Sequence, residues 1–393
     1  GETTHRANQI QLIGIDDSFW QFTTSQKTKT PDTDEALINH RLATQLALKP
    51  GDEFRLRIAK PSVLPRDAPL SVSEDLTQSL TLTVTAVTDA AADLADFSLR
   101  PSAVPPHNVF VPLKWLQKQA ELDNRANLLL AAHQTSTDIP TFVDTANNAL
   151  RQNWRLADAE LQLEANATAG IIDLKTPRIF LDGPALEAGG VDDSAAVLTY
   201  IANEILTDTN STPYSMVTGV PPDFFPNAPT GNEMLITQWL ADDLAAKAGD
   251  SISISYFVLG LNRQLEEHNA TFTVTGVLPE TERPGWRTLM PQFPGIVDAD
   301  DIRNWEPGFD FDTSRIRDQD EAFWKQYRGT PKAFIALETG QRLWANRYGE
   351  ATAVRFAFAE GKRDGIETAI RKDFDPAKVG LIFRDVRTEA VSG

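Results

Sequence analysis

Residues Leu37–Ile58 read LINHRLATQLALKPGDEFRLRI, and residues Leu235–Tyr256 read LITQWLADDLAAKAGDSISISY. Between Leu37–Asp52 and Leu235–Asp250 the two agree, without a gap, at 9 of 16 positions. Ile38, Leu42 and Leu46 recur every fourth residue, as do Ile236, Leu240 and Leu244. That spacing predicts an amphipathic helix. Lys49 and Lys247 then sit near the negative helix end, and Gly51 and Gly249 suit a left-handed residue past the cap. Strict alternation follows, with Phe54, Leu56 and Ile58 in one copy and Ile252, Ile254 and Tyr256 in the other. It predicts a half-buried strand.

Four further segments recur in the same order. QLIGIDDSFWQF (Gln11–Phe22) parallels MVTGVPPDFFPN (Met216–Asn227), with Gly14 against Gly219, Phe19 against Phe224 and Trp20 against Phe225. TLTVTAVTD (Thr81–Asp89) parallels TFTVTGVLP (Thr271–Pro279), and PHNVFVPL (Pro106–Leu113) parallels TPKAFIAL (Thr330–Leu337). NRANLLLAA (Asn124–Ala132) parallels GEATAVRFAF (Gly349–Phe358) more loosely. Ordered recurrence over such a length predicts a tandem duplication of one module, not a short-period solenoid. Each module reads as strand, helix, strand, strand, then helix and more strand. The predicted fold class is α+β with mixed and antiparallel sheets and short helices.

The expected organisation is a first module over 1–135, a connecting segment over 136–170, and a second module over 171–393 with an insertion at 279–330. The second copy is preceded by IIDLKTPRIFLDGPALE and by SAAVLTYIANEIL (Ser194–Leu206), which reads as a helix. The first copy has no such leader, so its leading part is expected to lie upstream of Gly1.

The chain has 393 residues, enough for two or three cores. Its net charge of −18 and lack of a basic run argue against nucleic acid and anionic lipid. The absence of cysteine excludes disulfides, thiolate metal sites and a Cys nucleophile. No apolar run approaches the roughly 20 residues of a membrane span.

Chemistry-bearing motifs are scarce. There is no G-x-S-x-G elbow and no G-x-x-x-x-G-K-[ST] loop. GPALEAGG (Gly183–Gly190) reads as a loop, and Glu266–His268 as a solvated turn. The five histidines are scattered, with no H-x-x-x-H pair. Asp298, Asp300, Asp301, Asp310, Asp312, Asp318, Asp320 and Glu321 cluster in the insertion, but not in the order of a calcium loop, and Arg315 and Arg317 stand ready to neutralise them. The reading is a salt-bridged surface loop, with calcium the alternative. No catalytic, cofactor or metal residues are assigned. Aromatics at repeated positions read as core. Trp286 and Trp305, in the Pro-rich insertion, are the candidates for contact with a partner or cargo.

Several of these strings together resemble the extracytoplasmic region of large FtsX-like ABC transporter permeases, relatives of the macrolide-exporter and lipoprotein-releasing permeases. They are QLIGIDDSFWQF, INHRLATQLALKPGDEFRLRIAKPSVLPRDAPL, FSLRPSAVPPHNVFVPLKWLQKQAELDNRANLLL, TPYSMVTGV, WLADDLAAKAGDSISISYF and RDQDEAFWKQYRGTPKAFIAL. That family's periplasmic core domain has a helix, a Gly-Asp turn into a strand, and an F-x-V-x-G-V strand. Here these are Gly51-Asp52, Gly249-Asp250 and FTVTGV (Phe272–Val277). The resemblance implies a non-enzymatic region, without cofactor, on the periplasmic side of the inner membrane. It implies the parent's own transmembrane helices and a separate ATP-hydrolysing subunit or domain as partners. A periplasmic partner protein, or a lipid or peptide cargo, would meet it outside. The tandem arrangement departs from that family's single core domain. The other classes weighed are a secreted carboxylate- or calcium-dependent hydrolase acting through the insertion, and a free-standing periplasmic binding protein.

Overall fold

The structure is a computed structural model that describes residues 5–23, 29–59, 77–89, 94–98, 104–131, 138–190, 194–260, 264–279 and 283–386. Parts of the strings quoted for the resemblance (60–70 and 99–103), Ala132, and residues 280–282 of the insertion lie outside these. The described residues form two compact units, one holding residues up to 148 together with 383–386, the other residues 149–382. The segment expected as a connector carries the helix α3 (Ile139–Asn153), which crosses this division.

The first unit contains β1 (Ile10–Ile15), β2 (Glu35–Ile38), α1 (His40–Leu46), β3 (Glu53–Ala59), β4 (Thr77–Val87), β5 (His107–Pro112) and α2 (Leu113–Gln119). Its sheet has the order β1-β5-β2-β4-β3. β1 runs parallel to β5 and β2 parallel to β4, while β2–β5 and β3–β4 are antiparallel. Ile38, Leu42, Leu82, Val84 and Val109 are buried in its core.

The second unit contains β6 (Gln162–Asn166), β7 (Ile171–Lys175), α4 (Gly183–Gly189), β8 (Ser194–Leu206), β9 (Ser211–Val220), β10 (Glu233–Thr237), α5 (Gln238–Leu244), β11 (Ser251–Leu259) and β12 (Leu265–Leu278). It continues with α6 (Asp318–Tyr327), β13 (Ala333–Ala336), α7 (Leu337–Trp344), β14 (Ala353–Ala357) and α8 (Lys362–Asp373). The strand order is β11-β12-β10-β13-β9-β8-β14-β7-β6. A further antiparallel pairing of β11 with β8 closes six of these strands into a ring.

Within this unit β9 to β13 repeat β1 to β5. The order β9-β13-β10-β12-β11 and every parallel or antiparallel sense are the same. A bulge interrupts β2–β4 at Ala36/Leu37 and β10–β12 at Met234/Leu235. Asn39 and Thr237 cap α1 and α5 by accepting from the backbone N–H of Leu42 and Leu240. Ala47 and Ala245 end the helices in the left-handed region. The α+β class and the duplication are therefore properties of the fold.

The repeated Gly-Asp pair builds a turn. Asp52 N–H donates to Lys49 O and Asp250 N–H to Lys247 O, with Gly51 and Gly249 both at φ +96°. A proline or alanine second and a left-handed glycine third make this a type II turn. Gly14 and Gly219 serve another need. A Cβ on Gly14 would lie 3.1 Å from Leu113 and Leu116, and one on Gly219 3.3 Å from Leu337 Cα. Both let the helix that follows the paired strand, α2 after β5 and α7 after β13, lie against β1 or β9.

Several expectations change; GPALEAGG (Gly183–Gly190), read as a loop, forms the helix α4 and its cap. Ile38 ends β2 and Ile236 lies within β10, so each helix is two turns long and starts later than the four-residue period suggested. Gly51 and Gly249 form turns, while alanines close the helices. Ser194–Leu206 is the strand β8, not a helix. Its central residues are buried on both faces, and a strand so placed loses the alternation that identifies it. Finally, residues 124–131 form no strand, whereas Ala353–Ala357 form β14, so that parallel fails. The buried aromatic partners are Phe19 on Phe110 and Phe225 on Phe334, a one-residue offset from the sequence pairing.

No atom lies within 4 Å of a Cβ built on Gly51 or Gly249, so only backbone strain opposes a side chain there. Gly249→Val is expected to lower stability by about 1–3 kcal/mol, and Gly51→Val by a similar amount. Matched denaturant melts check this; an unchanged midpoint would contradict the turn assignment.

Candidate functional site

The insertion is the largest departure of the second copy from the first, and the contacts that fasten residues 283–330 include two groups of buried charges. In the first, Asp173 on β7 faces Arg355 on β14 across the sheet. Arg355 donates through Nε at 2.7 Å and Nη2 at 2.9 Å to the two oxygens of Asp173, a bidentate pair. Thr288 of the insertion donates to the same carboxylate at 2.8 Å and accepts from Arg355 at 2.7 Å. Trp286 packs edge-on against Phe225 and tilted against Phe334.

The second group joins α6 to α5. Arg317 donates to Asp320 at 2.8 Å through both Nε and Nη2, and to Asp243 on α5 at 3.1 and 2.7 Å. Asp243 also accepts from Thr212 and Gln319. Lys332 enters from the start of β13, with its ammonium 3.9 Å from Asp320, 4.0 Å from the ring centre of Trp239 and 4.6 Å from that of Phe323. It is 3% exposed, and Asp320 1%. Burial in this apolar box pushes the Lys332 amine down to about 8, against the opposing pull of Asp320 and Asp243. Arg317 is pushed up, chiefly by Asp320.

The first copy lacks this chemistry. By the shared register Lys332 corresponds to Asn108, Asp243 to Gln45 and Trp239 to Arg41. Asn108 instead bonds to Phe97 O, and Asn39 to Ala95 O and Pro106 O. The charge cluster thus belongs to the copy that carries the insertion. It attaches the insertion to α5 through side chains that run from the buried Lys332 and Asp320 out to the part-exposed Arg317.

The acidic residues of the insertion are spread over several basic partners. Asp300 pairs with Arg328, Asp301 with Lys325, and Asp318 with Arg303. Glu321 accepts from the N–H groups of Ile302 and Arg303, and Asp312 from Ser314. Among the described residues no group of three or more acids and histidines is arranged to hold a metal ion. Glu266 and His268 lie on β12, not in a turn, 3.7 Å apart.

Both tryptophans expected to meet a partner or cargo lie inside the fold. Trp286 is 4% exposed, and Trp305 5%. Trp305 packs edge-on to Trp324 and against Phe311. Trp305 joins the main core of the second unit and Trp286 a separate cluster with Phe225 and Phe334, so both rings are turned inward. Sequence reasoning missed Lys332, Asp243, Asp173 and Arg355. The only available signal was a lysine standing ahead of an apolar strand start where the other copy has asparagine.

No family model matches the chain, and no curated protein matches it. Twelve solved chains match. One, described as a domain of a permease protein from Porphyromonas gingivalis, is 12% identical and covers 50% of this chain and 70% of its own length, at a TM-score of 0.25. A likeness of that size leaves fold and function to be argued from the chain itself. Among the described residues no helix is long and apolar enough to cross a membrane.

Two outcomes test the site. The amine of Lys332 is lower in the folded chain than its free value of 10.5, so between pH 8 and 10.5 the unfolded chain binds more protons. Stability from this group therefore rises with pH across that window. The stability difference between wild type and Lys332→Met is expected to move by about 3 kcal/mol in favour of wild type over it; a flat difference would contradict a desolvated amine. Arg355→Leu strands the buried Asp173 carboxylate and is expected to cost about 3–5 kcal/mol, whereas Thr288→Val costs about 1–2 kcal/mol. Equal losses in chemical denaturation would contradict the first anchor.

Proposed function

We propose that this chain is a non-enzymatic, extracytoplasmic part of an FtsX-like ABC transporter permease, coupling ATP-driven motion across the membrane to cargo or partner handling outside it. One observation carries the reading. The motifs behind the resemblance are a single structural unit, present twice. Gly249 N–H donates to Val274 O and Val274 N–H to Asp250 O, so the Gly-Asp turn is tied to the FTVTGV strand. Gly51, Asp52 and Val84 repeat both bonds. The buried ion pairs that hold the insertion support the mechanical part of the reading, because a body meant to transmit displacement must resist deformation. In this reading the ATPase is a separate subunit or domain, and the periplasmic side of the inner membrane is where the region works.

The test uses the absence of cysteine. A cysteine at the exposed Asp318 of the full-length gene product is expected to react with a membrane-impermeant maleimide in intact cells, with the product in the membrane fraction. Labelling only after lysis, or a product wholly in the soluble fraction, would sink the proposal.

A further inference from the structure

The two copies differ in one way that their shared topology makes meaningful. In the second unit both outer strands of the five-strand repeat are covered by one strand. β8 pairs antiparallel with β9 from Leu198 to Leu206, and with β11 through Glu204, Ile205 and Leu206. In the first unit the same outer strands are β1 and β3, and among the described residues neither pairs on its outer edge. Burial follows. β9 is buried from Thr212 to Val220, whereas Ile10, Leu12 and Ile13 of β1 are half-buried. Ile252 and Tyr256 of β11 are buried, whereas their counterparts Phe54 and Ile58 are half-buried.

From this contrast we infer that β1 and β3 form an acceptor site for one added polypeptide strand, antiparallel to both, as β8 is in the second unit. The occupant is a strand of a separate partner protein. It is an extended segment of about nine or more residues, long enough to reach both edges at roughly 3.3 Å per residue, and rich in apolar side chains.

Its charge is also specified. β8 sets Glu204 opposite Ser255, and Ser255 corresponds to Arg57. Arg55 and Arg57 are exposed on the β3 edge. Charges there guard an open edge against unwanted pairing, and they also select a strand that brings an acid to that position. The guard role alone leaves the half-buried apolar residues of β1 unexplained; the acceptor role accounts for both. One strand reaches both edges only if the sheet curls as its counterpart does. The shared pairings and the shared bulge favour that curl, since a bulge sharpens local twist. Strand addition of this kind takes its affinity from backbone hydrogen bonds and its selectivity from alternate side chains.

The probe is a synthetic peptide with the sequence of Ser194–Leu206, added to the intact chain. Saturable one-to-one binding is expected, with amide exchange of Ile10–Ile15 and Glu53–Ala59 slowed at least about tenfold. A peptide carrying Glu204→Lys is expected to bind about tenfold more weakly, and Arg57→Glu in the chain to restore its binding; Arg57 is exposed, so the variant keeps the fold. Peptide binding that leaves β1 and β3 exchange unchanged would overturn the site. So would exchange that slows with protein concentration in the absence of peptide, because the occupant would then be a second copy. Indifference to the charge swap would remove the assignment of Arg57 as the selecting residue.

Discussion

The structure of each module hangs on one short turn. Lys49–Asp52 and Lys247–Asp250 send the chain from a two-turn helix into the outer strand, and each turn is pinned to the neighbouring strand by a pair of backbone hydrogen bonds at Val84 or Val274. The Asp side chain accepts from the first residue's N–H, at 2.8 Å from Lys49 and 2.9 Å from Lys247, closing the turn on itself. The third position must be left-handed, which glycine tolerates and a branched side chain does not. With the turn fixed, the helix is held across the sheet, and β2 and β10 fall parallel to β4 and β12. The bulge then lets that parallel pairing run alongside the antiparallel outer strand.

Upon this common frame the second copy adds two things, both in the same unit. β8 closes the strands into a ring, and the insertion lays its apolar side chains into the same core. Trp305, Trp324 and Phe309 join that core with Phe311 packed against it, and Tyr214 on β9 accepts the N–H of Asp312. Buried charges register the attachment. Asp173–Arg355 and Asp320–Arg317–Asp243 are each satisfied by several hydrogen bonds, the condition under which a buried pair is tolerable. Lys332 is the exception, since its ammonium rests mainly on two aromatic faces and a carboxylate 3.9 Å away. That imbalance makes it sensitive to pH.

Most of the repeated frame was legible in the sequence. Alternation in TLTVTAV and TFTVTGV reported strands exposed on one face, and those strands are present. Periodicity failed where burial was two-sided. SAAVLTYIANEIL carries no alternation because both faces of β8 are covered, and its spacing imitates a helix. Periodicity also lengthened α1 and α5, because Ile38 and Ile236 belong to the core through a strand and happen to continue the helical spacing. The tryptophans misled for a different reason. A Pro-rich insertion reads as an open loop, yet this one is large enough to bury Trp286 and Trp305. The anchoring charges were illegible, since Asp173 and Arg355 stand 182 residues apart and only the fold brings them together.

The central claim is that one fold occurs twice, with sequence-distant strands paired in parallel at matching places. Engineered disulfides in this cysteine-free chain test it directly. Glu35 is paired with Thr83, and Glu233 with Thr273, all at positions outside the core. Neighbouring strands lie roughly 4.8 Å apart, which brings such residues within disulfide reach. The account predicts that the Glu35→Cys/Thr83→Cys and Glu233→Cys/Thr273→Cys variants both cross-link on mild oxidation while folded. Cross-linking in one pair and not in the other would contradict it.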